Sequence, residues 1–410
     1  MNGEGPLSGV RVVDVSTSYA GPTATMYLGA MGADVVKIER PETGDDARLW
    51  GPPFVGNEAG GESAWFLSAN RNKRSVCLDL SREEGLAALM RLLDRADVFV
   101  ENINPAKLEK RGLDPGALRE RFPRLIYCAL SGFGLDGPDR DRPGYDLIAQ
   151  ARSGLMSVTG TKGGTPQRVS TALSDVVAGM VAAFAVAAAL VRQQRTGVGE
   201  LVDVSLLDAD LALMAPRVAS FLAGEPEPRP SGGTDSVLAV YQPFETADRP
   251  MVVAVGNDKM WQRFCDALGL EKLRGDPGLA TNAGRRERRE EILERVSARL
   301  RERPAAHWLD RLAEAAVPCQ TVQTLSEVVD DPQVVARHAI SETAHPLAGM
   351  VRTVGSPWRL GADGAGREHR PAPVLGADTV EVLREAGYAD GEVDELLRSG
   401  AAWTSATRTP

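Results

Sequence analysis

Short β-branched runs alternate with amphipathic stretches through the first half of the chain. Residues 10–15, Val-Arg-Val-Val-Asp-Val, read as a buried strand; Ala20-Gly21-Pro22 follows, then a helical pattern over 23–31 that Gly32 closes. A second strand is expected over 33–39, a third over 75–80, a helix over 82–95, a strand over 98–101, a helix near 115–121 and a strand over 125–130. Such alternation predicts an α/β fold whose parallel sheet is covered by helices. The first strand-to-helix turn lacks Gly-x-Gly-x-x-Gly, which removes the main sequence support for a nicotinamide or flavin enzyme.

Residues 176–191 are uncharged and apolar throughout, and Arg192-Gln193-Gln194-Arg195 followed by Thr196-Gly197 ends the run as a soluble helix would end. At 16 residues it is short for a membrane span, which needs about 20. A buried helix is expected, with Asp175 at its N-terminus. Beyond it lie a strand over 201–205, a helix over 206–222 and an irregular Gly- and Pro-rich linker over 224–236. The expected organisation is a large domain beginning with 1–223, a small α+β domain over 237–303, and a return segment over 304–410 that completes the large one. The small domain should hold a strand pair near 240–246 and 251–255, with helices near 260–268 and 285–302. A helix over 306–316, a segment over 346–360 and a terminal helix near 379–386 should follow.

Composition narrows the chemistry. A formal charge of −9 argues against nucleic acid or an anionic membrane as the main partner. The stretch Met1-Asn2-Gly3-Glu4-Gly5-Pro6 has no basic segment leading into an apolar one, so a cytoplasmic protein is expected. Cys77, Cys128, Cys265 and Cys319 are far apart and read as reduced thiols, with no metal expected. The four histidines, His307, His338, His345 and His369, all fall in the last quarter without zinc spacing, and no Gly-x-Ser-x-Gly elbow accompanies them. Carboxylates are left as the leading catalytic candidates.

Asp175 has two readings. An acid in the first turn of a helix is favoured as a cap, and the positive end of the helix dipole favours its ionised form. A carboxylate held charged against an apolar core is also a candidate nucleophile. Basic residues gather where strands meet turns: Lys37 and Arg40 after the second strand, Asn70-Arg71-Asn72-Lys73-Arg74 before the third, and Lys107 and Lys110 beyond Asn102 and Asn104. In an acidic chain, cations at the crevice of an open α/β sheet point to phosphates. Arg142-Pro143-Gly144-Tyr145-Asp146 is a turn leading into a helix with Leu147 and Ile148 on its buried side; Tyr145 is a candidate ligand contact and Asp146 a candidate cap.

The ordered set Leu7-Ser8-Gly9-Val10-Arg11-Val12-Val13-Asp14, Ala20-Gly21-Pro22, Gly32 to Pro41, Asn72-Lys73-Arg74-Ser75, Gly144-Tyr145-Asp146 and Thr196-Gly197-x-Gly199 resembles the family III coenzyme A transferases. This superfamily also contains 2-methylacyl-CoA racemases. The resemblance implies a Rossmann-like large domain built from both chain ends with a small domain inserted, and an intertwined homodimer. It implies that Asp175 attacks an acyl-CoA thioester, passes through an aspartyl anhydride and an aspartyl-CoA thioester, and delivers coenzyme A to a carboxylic acid acceptor. Coenzyme A is then a substrate, and no permanently bound cofactor is implied. Positions implied to hold it are Tyr19, Ala20, Arg40, Ala69, Asn70, Arg71, Asn72, Lys73, Asn102, Ile103, Asn104, Lys110 and Tyr145.

Departures from the family pattern bear on the substrate. Glu101-Asn102-Ile103-Asn104-Pro105-Ala106 lacks a basic residue usual in the family at this place, and only Gly232-Gly233 remains of the glycine-rich loop of oxalate-using members. Racemisation through an enolate is the rival activity. Family racemases use a histidine where this chain has Tyr145, and a phenol is a poor base at neutral pH. A non-catalytic acyl-CoA-binding protein is the third reading, against which the retained Asp175 stands.

Overall fold

The computed structural model describes residues 5–56, 61–360 and 370–405, which leaves His369 outside the described residues. The chain divides into two units. The larger comprises residues 1–155, 169–224 and 332–410, and the smaller 156–168 and 225–331.

The larger unit is built on a seven-stranded sheet. Its strands are β1 (Arg11–Asp14), β2 (Asp34–Glu39), β3 (Lys73–Leu78), β4 (Val98–Glu101), β5 (Ile126–Ser131), β6 (Leu201–Ser205) and β7 (Ala402–Trp403). The order is β7-β3-β2-β1-β4-β5-β6, parallel except for β7, which runs antiparallel to β3. The valine-rich runs follow from burial of both faces: side chains alternate across a strand, so a sheet covered on both sides needs apolar residues at successive positions. Val12, Val35, Val98, Ile126 and Cys128 face one core, while Val13, Val36, Phe99, Tyr127 and Ala129 face the other. Strands over 98–101 and 201–205 fall where the pattern puts them, and β3 begins two residues earlier than expected.

Helix α1 (Ala20–Ala30) and helix α3 (Leu173–Thr196) cover the first face, with α2 (Asp146–Arg152) and α4 (Leu206–Leu222) beside them. The apolar run 176–191 therefore lies inside a 24-residue helix, the one helix among the described residues long and apolar enough to cross a membrane by length and hydropathy. Its inner face of Ala178, Ala182, Ala183, Val186 and Leu190 is in the core. Its outer face is not buried, contrary to expectation: Met180, Val181, Phe184 and Val191 are exposed on the chain. Contact with α1 is close at Gly179, where a Cβ would lie 2.8 Å from the Ala20 carbonyl oxygen and from Thr23. That crossing fixes the start of α3 beside the start of α1.

A second correction concerns α2. Leu147 and Ile148 point outward, and Asp146, Ala149 and Gln150 take the buried face. The polar pair is inward because Asp146 accepts from the first turn of α3 and Gln150 bonds Val169 and Thr171 in the segment just before it.

The smaller unit has a three-stranded antiparallel sheet, Cys319–Thr321, Met251–Ala254 and Tyr241–Phe244, backed by helices Asp258–Leu268, Arg289–Leu300 and Ala305–Glu314. Trp261, Phe264, Ile292, Val296, Leu300 and Trp308 form its core. It runs past the expected limit of 303 because helix Ala305–Glu314 and strand Cys319–Thr321 complete that core and sheet. A hairpin, Ile340–His345 with Gly349–Val354, was not evident from the alternation and belongs to the larger unit.

Candidate active site

Beyond the carboxyl end of β1, the turn 16–19 is held by two buried ion pairs. Lys37 Nζ lies 2.8 Å from Asp45 Oδ2 and donates to the Ser16 carbonyl at 2.7 Å. Lys73 Nζ lies 3.1 Å from Asp14 Oδ2 and also donates to the Pro22 carbonyl and Asn70 Oδ1. Asp14 accepts from the Ser16 N–H and hydroxyl and from the Thr25 hydroxyl, and Asp45 accepts from the Ser18 N–H. Burial alone would raise the Asp14 carboxyl, but Lys73, Lys37 and the two hydroxyls bring it down to about 2. Asn102 completes the clamp, accepting from the Thr17 N–H at 2.9 Å and donating to the Thr17 carbonyl at 2.7 Å.

Around this turn two cavities adjoin, sharing Thr17, Asn102, Ile103 and Asn104. The larger, about 820 Å³, opens at the carboxyl ends of β1, β2, β3 and β4 and is lined by Arg40, Lys107, Lys110 and Arg111 among others. Lys107 and Lys110 make no ion pair among the described residues. A crevice beyond the carboxyl ends of parallel strands, with unpaired cations on its wall, suits a phosphate-bearing nucleotide.

The second cavity, about 240 Å³, contains Asp175, with Ala20, Ser131, Gly132, Arg140, Arg142, Gly144, Tyr145 and Leu206 around it. Gly132 and Gly144 bring the end of β5 against the turn before α2: a Cβ on Gly144 would lie 2.4 Å from the Gly132 Cα. Only two glycines permit that approach, and it places Tyr145, 63 % exposed, at the cavity wall. No histidine is among the residues lining this cavity.

Asp175 is the third residue of α3 and is not its cap. Ala172 occupies the N-cap without a side-chain bond, and the cap comes from α2: Asp146 Oδ1 accepts the Ser174 N–H at 2.8 Å, while Asp146 Oδ2 accepts from Gln150 at 2.7 Å. The Ser174 hydroxyl donates to Asp210 Oδ2 on α4 at 2.8 Å. These bonds fix the turn and leave the Asp175 carboxylate without a hydrogen bond or ion pair among the described residues. Burial, and then the charges of Asp146 and Asp210, push its carboxyl up to about 7. Desolvation and the two neighbouring carboxylates thus act against the helix terminus, which favours the ionised form. A carboxylate of raised basicity in a partly dry cleft is a stronger nucleophile than one in water.

The residues implied to hold coenzyme A separate into two groups. Arg40, Asn102, Ile103, Asn104 and Lys110 line the larger cavity, and Ala20 and Tyr145 the smaller. Tyr19 lies between Ser18 and Ala20, with its hydroxyl 2.9 Å from Ser68 Oγ. Ala69, Asn70, Arg71 and Lys73 are buried, and Asn70 and Lys73 have their polar groups engaged within the fold. Asn72 has a positive φ of 64° and its side chain accepts the Arg370 N–H. Lys37 is neutralised by Asp45, and Arg74 by Asp34 and Glu385, so neither adds to the phosphate-facing charge. Asp210, Ser174 and Gln150 were missed. Asp210 reaches the site only through the packing of α4 on α3, for which there is no local signal.

Comparison with known proteins gives one result throughout. CoA-transferase family III matches residues 7–379. Succinyl-CoA:glutarate CoA-transferase of Homo sapiens is 37% identical over 401 residues, 98% of this chain and 90% of that one. Succinate--glutarate CoA-transferase of Agrobacterium fabrum is 37% identical over 387 residues, covering 94% of this chain and 96% of its own. Among solved structures, a CAIB/BAIF family protein from Brucella suis superposes with a TM-score of 0.82 at 33% identity, covering 94% of this chain and 100% of that chain.

Proposed function

This chain belongs to CoA-transferase family III, and from that premise we propose that it moves coenzyme A from a dicarboxylic acyl-CoA such as succinyl-CoA to a dicarboxylic acid such as glutarate, with Asp175 as the covalent catalyst. The observation that carries the mechanism is the unbonded Asp175 carboxylate, in a cleft contiguous with a cation-lined crevice of nucleotide size.

In the first step an Asp175 oxygen attacks the thioester carbonyl; the C–S bond breaks, leaving an aspartyl mixed anhydride and CoA thiolate. The thiolate attacks the aspartyl carbonyl and releases the donor acid, leaving CoA joined to Asp175 as a thioester. An acceptor carboxylate displaces the thiolate to form a second anhydride. The thiolate then attacks the acceptor's carbonyl, which yields the new acyl-CoA and frees Asp175. Each step forms one acyl bond as it breaks another, so the acyl group stays activated from donor to acceptor, which is the advantage of covalent catalysis here. Capping by Asp146 keeps the α3 turn rigid while the Asp175 side chain changes its bonds.

The outward faces of α2 and α3, with Leu147, Ile148, Met180, Val181, Phe184 and Val191, support a homodimer in which a second copy covers them. The test of the function is direct. Protein incubated with succinyl-CoA and quenched with borohydride or hydroxylamine should show modification at Asp175 by mass spectrometry, and Asp175→Asn should abolish both adduct and transfer. Transfer that persists in Asp175→Asn would remove the assigned nucleophile. Exchange of the proton at the 2-position, with no adduct and no transfer, would replace this reading with the racemase.

A further inference from the structure

Glu101 is a buried acid that the transfer chemistry does not use. It closes β4, is 2 % exposed, and lies on the face of the sheet that carries Phe99, Tyr127 and Ala129. Its Oε2 accepts the Ile103 N–H at 2.6 Å. Its Oε1 lies 3.3 Å from the Tyr127 hydroxyl oxygen, which is itself 2.9 Å from the Leu113 carbonyl oxygen. A phenol has one proton, and a carbonyl can only accept. The Tyr127 proton goes to the nearer partner, Leu113, so the contact between Glu101 and Tyr127 is filled by a proton on the carboxyl.

No cation opposes that protonation. Lys107, Lys110 and Arg111, on and just after helix Pro105–Glu109, line the larger cavity, and Arg111 donates to the Leu80 carbonyl. No lysine or arginine forms an ion pair with Glu101 among the described residues. The titratable groups around Glu101 and Tyr127 are Asp203 on β6, Cys128 on β5 and Asp114 ahead of helix Pro115–Arg121, none of them a cation. Burial, joined by the charge of Asp203 and only partly offset by the two hydrogen bonds, pushes the Glu101 carboxyl up to about 8.

The two bonds hold the two ends of one segment. Glu101 grips Ile103 directly and Leu113 through Tyr127, and the residues between them include the three cations on the cavity wall. We propose that Glu101, as a neutral acid, is the positioning residue for this segment, setting where Lys107, Lys110 and Arg111 meet coenzyme A and loosening them when it loses its proton. Once ionised, the carboxylate draws the Tyr127 proton to itself and leaves the buried Leu113 carbonyl without a donor. The assignment rests on the transferase reading and adds to it control of coenzyme A affinity by a proton other than that of Asp175.

The test compares wild type, Glu101→Gln and Glu101→Ala in kcat and in KM for succinyl-CoA, with glutarate as acceptor, across pH 6 to 9. Wild-type KM should rise about tenfold from pH 7 to pH 9, as the protonated fraction falls, with kcat level. Asp175 by itself gives a rate that rises and then levels, so a fall in kcat/KM above pH 8 belongs to Glu101. Glutamine offers an oxygen to Ile103 and an N–H to Tyr127 and does not titrate. Glu101→Gln should therefore match the wild-type KM at pH 7 and hold it through pH 9. Glu101→Ala frees both ends of the segment and should raise KM about tenfold at every pH while kcat is kept; if it does not fold, wild type and Glu101→Gln decide between them. A wild-type KM that is flat to pH 9, an alkaline rise that persists in Glu101→Gln, or a Glu101→Gln impaired at pH 7 overturns the proposal and leaves the transferase intact. A wild-type protein without transfer at any pH overturns the transferase reading instead, and calorimetric titration of wild type and Glu101→Gln with coenzyme A over the same pH range then decides the role of Glu101.

Discussion

Asp146 accepts the Ser174 N–H at 2.8 Å, so the helix carrying Asp175 is capped from a different helix. Removal of that acceptor in Asp146→Ala should lower stability by about 1–2 kcal/mol, the usual worth of a cap, and depress kcat through loosening of the Asp175 turn. Chemical denaturation and steady-state kinetics read the two effects separately. Asp146→Asn retains an oxygen acceptor and removes a charge, so it should keep most of the stability and move the acid limb of the rate profile to lower pH. An unmoved limb would remove Asp146 as a contributor to the Asp175 titration.

The raised Asp175 carboxyl makes a signed prediction for rate. The nucleophile must be ionised, so kcat/KM should rise with pH and level off above about pH 7, falling tenfold per unit on the acid side. A limb near pH 4 would mean that bound substrate or the helix terminus restores the ordinary value.

Stability should change in the opposite sense. A carboxyl raised on folding takes up a proton, so ionised Asp175 costs nothing below about pH 4, an increasing amount between pH 4 and 7, and up to about 4 kcal/mol above that. Asp175→Asn should therefore match wild type at pH 4 and be more stable at pH 8, as read by thermal midpoints across pH.

Lys73 and Asp14 form an ion pair whose side chains are both wholly buried. Lys73→Met leaves a buried, unpaired Asp14 carboxylate and should cost about 3–5 kcal/mol. Urea denaturation measures it, and a loss below 1 kcal/mol would show that Ser16 and Thr25 hold Asp14 unaided.

Gly144→Ala places a methyl 2.4 Å from the Gly132 Cα and forces the Tyr145 turn away from β5. A loss of about 1–3 kcal/mol is expected, with a raised KM for acyl-CoA. Lys107→Ala with Lys110→Ala should raise KM for acyl-CoA more at low salt than at high, because exposed cations act through a screened field.

Much of the sheet was legible because both of its faces are buried, which writes strands as unbroken valine and isoleucine runs flanked by turns. β4 and β6 coincide with their expected limits for that reason. Asp175 stood out as a charge at the edge of a long apolar run. What surrounds it was illegible: Asp210 and Gln150 look like ordinary helix residues until α2 and α4 pack on α3. Basic character alone also misled, since Lys37, Lys73 and Arg74 resemble phosphate ligands in sequence and are neutralised by carboxylates brought in from elsewhere. The outward turn of Leu147 and Ile148 has the same origin, a polar bond with a distant helix that overrode local apolar patterning.

Pairing of Ala402 and Trp403 with Leu78 and Cys77 has a consequence for biogenesis. On a ribosome, β3 is made early and waits with its β7-facing edge bare, while every residue of the smaller unit emerges and can fold. The larger unit closes last, and its exposed strand edge during that interval is the point at which a slowed or truncated nascent chain is most open to aggregation and to chaperone capture.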